Sequence, residues 1–475
     1  MSEDQPAARG DSNQPAARED SNQPATKEDF KRVLGLPTGI LLVTGIMIGS
    51  GVFKKIVPMA QVLPSEPFLL GAWIVAGIIT MFGAFTYAGL ARMTTRTGGV
   101  YEYLRLIYGD FISFLFGWSV FTIVGSGAVA ALAFVFAQSV NTLIPLPFAG
   151  WGIKILAVLT IALLTWLNCR GIKKGGILNN IVTTAKIIGI LLLIIPALFY
   201  THDSESYAYF PIRVAQQAPL LPLHRAALLS GFFGAMLSAL WAYDGWANIT
   251  FVTGEIKNPQ RNVPYAIIGG VGIAMTLYVL LNYSYMHVLP LGRLARLDPD
   301  KIAAAEVAGV LMGRTGVVTI ALLIMACTFS ALNGCIISYP RVYFRMAREK
   351  VFFKTAGKIH PTTLAPHIAL IYSAIWSAVL VCSGTFDQIT DLIILASFAF
   401  FGLAAYGLVR MKHQGRIAAK VIGYPVIPWL IILFCAALVI NTFITQPGAS
   451  LIGLLLILSG APFYVFFKRV HHRQP

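Results

Sequence analysis

Two short glycine-bearing segments interrupt long apolar runs of the chain, and they are where chemistry can take place. The first is residues 49–51 (Gly-Ser-Gly), and the second is residues 241–246 (Trp-Ala-Tyr-Asp-Gly-Trp). A glycine in a helix interior costs about 1 kcal/mol relative to alanine, so both segments predict unwound helix. Unwinding inside a bilayer frees backbone N–H and C=O groups, which is tolerated only around a cavity or a ligand.

The groups freed by such breaks carry opposite partial charges. The half-helix that begins after residues 49–51 presents free N–H groups and a positive dipole end, which can receive a carboxylate. The carbonyls that end the preceding half-helices can receive an ammonium. Together the two breaks predict a site for a small zwitterion. The alternative is that the glycines only allow close helix packing, as small residues often do in membranes.

Two charged residues stand alone inside apolar runs. Lys186 lies in the middle of its run, where a lysine costs about 2.5 kcal/mol or more, so it should face polar groups inside a helix bundle. Asp244 lies in the second glycine-bearing segment. Its carboxylate can bind a cationic side chain, or it can cap the helix break by accepting backbone N–H bonds.

The composition shows which elements must position these residues. Of the 475 residues, 57% are hydrophobic and only 12% are charged, and the mean hydropathy is +0.72. Soluble proteins carry about 25% charged residues, so an ordinary soluble enzyme and a disordered chain are excluded. A bilayer-crossing helix needs about 20 apolar residues. Twelve runs meet this need, at 36–53, 68–91, 111–140, 151–169, 175–200, 226–254, 263–288, 315–340, 366–382, 392–409 and the two halves of 421–467.

The basic residues predict the orientation of these spans. With the N-terminus in the cytoplasm, 26 of the 36 Lys and Arg lie in cytoplasmic tails and loops and nine lie outside. The positive-inside rule therefore predicts a cell-membrane protein with both termini in the cytoplasm. This topology accounts for the net charge of +16, so no nucleic-acid partner is expected. Residues 1–32 are polar, contain a repeat of nine residues and predict a disordered tail rather than a signal peptide.

The two glycine breaks fall in the first and sixth spans. A five-plus-five inverted repeat places its discontinuous helices in these two positions. We therefore predict an all-α integral membrane protein with twelve transmembrane helices and broken helices 1 and 6. Residues 33–200 form the first repeat, 226–411 the second, and 412–475 the last two helices and the C-terminal tail.

An ordered set of motifs resembles the amino acid–polyamine–organocation transporters, in particular bacterial members of the L-type amino acid exchanger branch. The motifs are at residues 49–53, 97–101, 241–246, 255–264, 330–334 and 423–428. The resemblance implies a leucine-transporter fold, alternating access, and one amino acid site between helices 1 and 6. The chain departs from the family pattern at Gly89 in the second span and at Gly254 after the sixth, where acidic residues are common. These departures concern the cytoplasmic gate and not the substrate site.

The resemblance also implies roles for individual residues. The amides of Ser50 and Gly51 would hold the substrate carboxylate, and the carbonyls of Met47, Trp241 and Asp244 would hold the α-ammonium, with Trp241 as an aromatic lid. Lys186 corresponds to a lysine in the sodium-site region of sodium-coupled relatives, which implies a fixed cation that bridges helices 1 and 8 and makes sodium unnecessary. The implied substrate-binding set is Met47, Ile48, Gly49, Ser50, Gly51, Trp241, Ala242, Tyr243, Asp244 and Gly245.

The sequence thus favours a sodium-independent exchanger or uniporter of neutral L-amino acids. The alternatives are a proton-coupled importer or antiporter of cationic amino acids or polyamines, and an amino acid sensor. An enzyme is not expected, because no intramembrane His/Cys/Asp cluster or nucleophile–base pair is present. No cofactor or metal is predicted. The loop between spans three and four has no cysteine, so the disulfide-linked heavy chain of animal relatives is not expected.

Overall fold

A computed structural model describes residues 30–63, 65–148, 150–201, 225–297, 302–383, 386–417, 420–445 and 447–472. The repeat-containing tail at residues 1–29 lies outside the described residues. Apart from one isolated parallel bridge between Leu34 and Ile256, the described residues contain no β-structure. The prediction of an all-α protein is therefore confirmed for this part of the chain.

The described residues form nineteen α-helices with three other helical segments. The α-helices are α1 Leu36–Met47, α2 Gly51–Lys54, α3 Ile56–Val62, α4 Glu66–Leu90, α5 Val100–Tyr108, α6 Asp110–Ser119, α7 Gly125–Leu143, α8 Gly150–Cys169, α9 Ile172–Leu198, α10 Arg225–Tyr243, α11 Pro259–Val288, α12 Leu291–Leu294, α13 Ala303–Ser338, α14 Pro340–Arg348, α15 His367–Ser383, α16 Phe386–His413, α17 Val426–Thr445, α18 Pro447–Leu458 and α19 Gly460–His472. The other segments are a π-helix at Val120–Val124 and 3₁₀ helices at Asn248–Glu255 and Lys354–Gly357.

Ten helical stretches among the described residues are long and apolar enough to cross a membrane. They correspond to ten of the twelve predicted spans. The other two predicted spans are the sixth, which contains the 19-residue helix α10, and the ninth, which contains the 17-residue helix α15. Large apolar side chains such as Leu159, Ile181 and Leu433 are more than half exposed, as expected where a helix faces lipid. The chain is a multi-pass membrane protein, and the count of twelve spans stays a prediction.

Helix α1 lies in the interior of the bundle. It packs against α11, α9 and α13, and every residue from Leu42 to Met47 is buried. The helix ends at Met47, because Ile48 has a ψ of 78° and leaves the helical conformation. Helix α2 then begins at Gly51, so the chain is unwound across the first glycine-bearing segment.

The second interruption follows α10. This helix ends at Tyr243, and Gly245 adopts a φ of +96°, a left-handed conformation that glycine reaches without a steric penalty. A Cβ atom on Gly245 would lie 2.5 Å from Cγ2 of Ile46, so the second break also lies directly against α1. The chain continues as the 3₁₀ helix Asn248–Glu255.

A third irregularity shapes the predicted third span. The π-helix Val120–Val124 joins α6 to α7, and its extra residue frees carbonyl groups for side-chain donors. The hydroxyl of Tyr343 donates to the Val120 carbonyl over 3.1 Å, and the indole of Trp376 donates to the Thr122 carbonyl over 3.0 Å. These bonds fix the π-helix against α14 and α15.

Candidate functional site

The two helix breaks line a small, half-open cavity in the middle of the bundle. Its volume is about 40 Å³. The residues that line it come from α1, α2, α7, α10 and α13 and from the breaks themselves: Ile46, Met47, Gly49, Ser50, Gly51, Ala128, Leu132, Trp241, Ala242, Asp244, Gly245, Cys335 and Tyr339. Eight of the ten substrate-binding residues implied by the sequence are in this set, and Ile48 and Tyr243 are not.

Ile48 and Tyr243 face away from the cavity and hold other elements. Both side chains are buried. The Ile48 carbonyl accepts a hydrogen bond from Lys186, and the Tyr243 hydroxyl donates to the Trp73 carbonyl in α4 over 3.2 Å. Their role in the structure is to anchor the breaks to neighbouring helices.

The first break presents backbone groups to the cavity. The N–H of Gly49 donates to the Met47 carbonyl over 2.8 Å, which closes a tight turn. In α2 the N–H groups of Phe53 and Lys54 donate to the Ser50 carbonyl, whereas those of Gly51 and Val52 have no preceding turn to accept them. A Cβ atom on Gly51 would lie only 2.8 Å from Cα and Cβ of Ala242. Glycine at position 51 is therefore what allows α2 to approach the end of α10.

The second break presents a carboxylate as well as carbonyl groups. The Asp244 N–H donates to the Trp241 carbonyl over 3.2 Å. Asp244 lines the cavity, and both interpretations of its carboxylate, as a cap of the helix break and as a partner for a cationic group, stay predictions.

Tyr278 of α11 joins the two breaks, and the sequence analysis did not identify it. Its hydroxyl lies 2.6 Å from the Met47 carbonyl oxygen and 2.9 Å from the Ala242 carbonyl oxygen. A phenol has one hydrogen to donate, so it can satisfy only one of these acceptors at a time. Its ring packs on Tyr243 and Trp73 at centroid distances of 4.9 and 5.7 Å. The Met47 carbonyl, implied to bind an ammonium, is thus already engaged by Tyr278.

Lys186 binds the first break from the side of α9. Its fully buried ammonium donates to the carbonyls of Gly45 over 2.6 Å and Ile48 over 2.8 Å. The resemblance implies that Lys186 also contacts the eighth span, which corresponds to α13. That contact is made instead by Thr183, one turn earlier in α9, whose hydroxyl lies 3.1 Å from the hydroxyl of Ser330. The lysine therefore neutralises the carbonyl end of α1, and its neighbour Thr183 ties α9 to α13.

Four aromatic rings, here called the aromatic floor, close one side of the cavity: those of Tyr339, Phe251, Phe116 and Phe400. They lie towards the end of the bundle that carries α5 and α14, here called the N-terminal side. Tyr339 lines the cavity and lies 5.7 Å from Phe251, ring to ring. Phe251 in turn lies 6.5 Å from Phe116, which packs on Phe400 at 5.3 Å. These rings separate the cavity from the N-terminal side.

Ion pairs form a second layer below this floor. Glu255 and Arg341 are almost fully buried, and their side chains are 2.9 Å apart. Glu102 is paired with Arg105, Arg345 and Arg96 at 3.0, 3.2 and 3.7 Å. Burial by itself raises the pKa of Glu102, but the hydrogen bond and charge of Arg105 and the charge of Arg345 outweigh it, so the pKa lies below its ordinary value. Glu102 and Glu255 are thus buried acidic residues on this side, where Gly89 and Gly254 supply none, and the more exposed Glu349 and Asp110 also pair with Arg105.

Backbone bonds complete the closure on the N-terminal side. The N–H groups of Val33 and Leu34 donate to the Glu255 carbonyl over 3.0 Å, and the Lys257 N–H donates to the Leu34 carbonyl over 2.8 Å. Residues 33–34, which precede α1, are thereby paired with residues 255–257, which follow the second break. The segments next to the two breaks are thus bonded to each other on the N-terminal side, in addition to the contact between the breaks at the cavity.

The residues that line the cavity bring the backbone groups of the two breaks and one carboxylate, that of Asp244. Among the described residues, no group of three or more His, Cys, Asp or Glu side chains has a geometry that could hold a metal ion. All five cysteines are free thiols. The arrangement can bind a small molecule that has one anionic and one cationic end.

Comparisons with known proteins identify the family. The amino acid permease family matches residues 34–467. The serine/threonine exchanger of Bacillus subtilis is 28% identical over 92% of this chain and 97% of its own length. The human b(0,+)-type amino acid transporter 1 is 29% identical over 93% of this chain and 89% of its own length, and the human large neutral amino acids transporter small subunit 2 is 26% identical over 91% and 80%.

These relatives are transporters and exchangers, which confirms the prediction that the chain is not an enzyme. They also confirm the resemblance to amino acid–polyamine–organocation transporters that the motifs indicated. With the family match covering nearly the whole chain and the cavity lying between two helix breaks, the protein belongs to the amino acid permease family and takes part in amino acid transport across a membrane.

Proposed function

We propose that the protein is a sodium-independent exchanger of neutral L-amino acids that works by alternating access in the cell membrane. The observation that carries the proposal is the cavity between the two breaks, with free N–H groups at the start of α2 and carbonyl groups at the end of α10. A zwitterion satisfies both sets of groups at once. Uptake by proteoliposomes preloaded with each proteinogenic amino acid in turn tests it, because exchange requires an internal substrate.

The proposed architecture has twelve spans in a five-plus-five inverted repeat, with residues 33–200 and 226–411 as the two repeats and 412–475 as the remainder. Helices α10 and α15 supply the sixth and ninth spans. We place the N-terminal side in the cytoplasm, because the basic residues of α14 and of the loops beside it lie there. In this orientation the structure is closed towards the cytoplasm.

In the proposed binding mode, the substrate ammonium and the Tyr278 hydroxyl compete for the Met47 carbonyl. The carboxylate binds the amides of Ser50 and Gly51, and the ammonium binds the carbonyls of Trp241 and Asp244. The Met47 carbonyl has two lone pairs, and the Gly49 N–H and the Tyr278 hydroxyl both lie within hydrogen-bond distance of it. An ammonium that binds Met47 therefore competes with Tyr278, whose hydrogen can turn to the Ala242 carbonyl instead, and this couples substrate binding to helix α11.

The proposed sodium independence rests on Lys186. Its ammonium already neutralises two carbonyls at the first break, so a second cation there would be repelled. We expect the initial rate of alanine or serine uptake to be the same in sodium and in choline buffers. A steep rise of that rate with sodium concentration would contradict this role for Lys186.

A second candidate function, import of cationic amino acids or polyamines, is favoured by one observation, the carboxylate of Asp244 in the cavity. The alternative is the capping role, because a short carboxylate at a helix break can accept backbone N–H bonds. We expect Asp244→Asn, which keeps an acceptor, to change the affinity for alanine by at most about 1.4 kcal/mol, or tenfold.

Competition of labelled alanine uptake by arginine separates the two candidates. Removal of one partner from a buried charge pair costs about 3–5 kcal/mol. If arginine competes strongly in the wild type and loses this effect only in Asp244→Asn, Asp244 binds cationic side chains and the capping role is wrong.

We also propose that transport needs no disulfide-linked partner. The loop between α7 and α8 contains no cysteine in its sequence, and the five thiols of the chain are free in the structure. Uptake by the purified chain alone in proteoliposomes checks this independence.

A further inference from the structure

The cavity has two walls of different chemistry. The breaks on α1, α2 and α10 contribute backbone N–H and C=O groups, whereas the opposite wall consists of side chains from α7, from α13 and from Tyr339, which directly follows α13. We call Ala128, Leu132, Cys335 and Tyr339 the side-chain wall. An amino acid that binds the breaks through its carboxylate and ammonium must direct its side chain at this wall.

The side-chain wall lies close to the breaks. Cδ2 of Leu132 is 3.3 Å from the position that a Cβ atom on Gly49 would occupy. On α13, a Cβ atom on Gly334, the residue before Cys335, would lie 2.4 Å from Cγ1 of Ile46. Helices α7 and α13 therefore both approach the first break to van der Waals distance.

The side-chain wall is also held from behind. A Cβ atom on Gly125 of α7 would lie 2.8 Å from Cγ of Tyr339, so α7 and α13 touch at the floor. The Tyr339 side chain is buried against Phe251. Because close-packed interiors resist displacement, the wall cannot retreat to admit a longer side chain without separating α7 from α13.

The volume and charge of the cavity then limit the substrate. A water molecule needs about 10–15 Å³ of such volume, so about 40 Å³ holds roughly three or four waters. Glycine, alanine and serine are only slightly larger than such a cluster, whereas leucine, phenylalanine and arginine greatly exceed it. No residue of the side-chain wall is charged, which leaves a cationic or anionic side chain without a counter-ion there.

We propose that the substrates are small neutral amino acids, of the size of glycine, alanine and serine, and that Leu132 sets the upper limit of size. This inference rests on the proposed amino acid site and adds a substrate class to it. Leu132 is the largest aliphatic side chain of the wall, and it stands directly over the unwound segment. Its removal opens space where the substrate side chain lies.

Thermal-shift titration of the purified protein tests the proposal, with glycine, alanine, serine, leucine, phenylalanine and arginine as probes. For the wild type we expect alanine and serine to bind at least tenfold more tightly than leucine or phenylalanine. We expect Leu132→Ala to gain at least tenfold in leucine affinity, since one methylene in an apolar pocket changes selectivity about 10–200-fold. The matched control is Leu159→Ala, at a lipid-facing position that should leave all affinities unchanged.

A second variant keeps the test decisive if Leu132→Ala does not fold. Ala128→Val narrows the same wall and should lower serine affinity at least tenfold relative to glycine. Equal binding of leucine and alanine by the wild type, or an unchanged ratio in both variants, would overturn the size limit. A wild type that binds no amino acid at all would instead contradict the proposed function itself.

Discussion

Replacement of Gly51 by leucine is expected to abolish amino acid binding. Even a Cβ atom at this position would lie 2.8 Å from Cα and Cβ of Ala242, so α2 must move away from the end of α10. The longer leucine side chain then fills the space in which the substrate carboxylate meets the backbone. Gly51→Ala adds only the Cβ atom, so it should weaken binding through the displacement of α2 alone.

Thermal shift with alanine and serine, together with uptake in proteoliposomes, measures this loss. The matched control is Gly272→Ala in α11, where a Cβ atom would meet only Cε of Met81 at 3.9 Å, an ordinary contact. Wild-type affinity in Gly51→Leu would refute the site between the two breaks.

The second large effect is expected at the buried ion pair. Replacement of Arg341 by methionine leaves the Glu255 carboxylate buried without its charged partner, and this costs about 3–5 kcal/mol of stability. The melting temperature of the purified protein in detergent should fall accordingly. The double variant Glu255→Met with Arg341→Met should recover much of that loss, because an apolar pair of similar volume removes the unpaired charge.

The control for this pair lies at the surface. Asp110 is 52% exposed and is 4.0 Å from Arg105, so Asp110→Asn should change stability by about 1 kcal/mol at most. If the double variant is as unstable as Arg341→Met, the ion pair is not the reason for the loss, and Arg341 acts through its bond to the Ile337 carbonyl.

The breaks and most of the cavity could be predicted from local sequence. Glycine propensity and the demands of a bilayer on backbone groups are enough to select residues 49–51 and 241–246, because both act within a few residues of the chain. Lys186 was identifiable for the same reason, as a lone charge in an apolar run. These rules therefore predict the wall of the cavity that consists of backbone groups.

Tyr278 and the side-chain wall could not be predicted in this way. The chain has 18 tyrosines, and the spacing around Tyr278 does not distinguish it from the others. Its position depends on how α11 packs against α1, which no local pattern records. Ala128 and Leu132 likewise reach the cavity only because α7 packs on α13, and in sequence they are ordinary apolar residues of a span.

The pairing of Leu34 with Ile256 has a consequence for the energy landscape of the transport cycle. In the proposed mechanism, opening to the cytoplasm exchanges three backbone hydrogen bonds between the approach to α1 and the chain after the second break for bonds to water. Each such bond is worth about 0.5–1.5 kcal/mol net, so together they favour the closed arrangement by a few kcal/mol. That is a population ratio of roughly ten to two thousand from these bonds alone, so in the proposed mechanism they make inward opening of the empty protein the more costly half of each cycle.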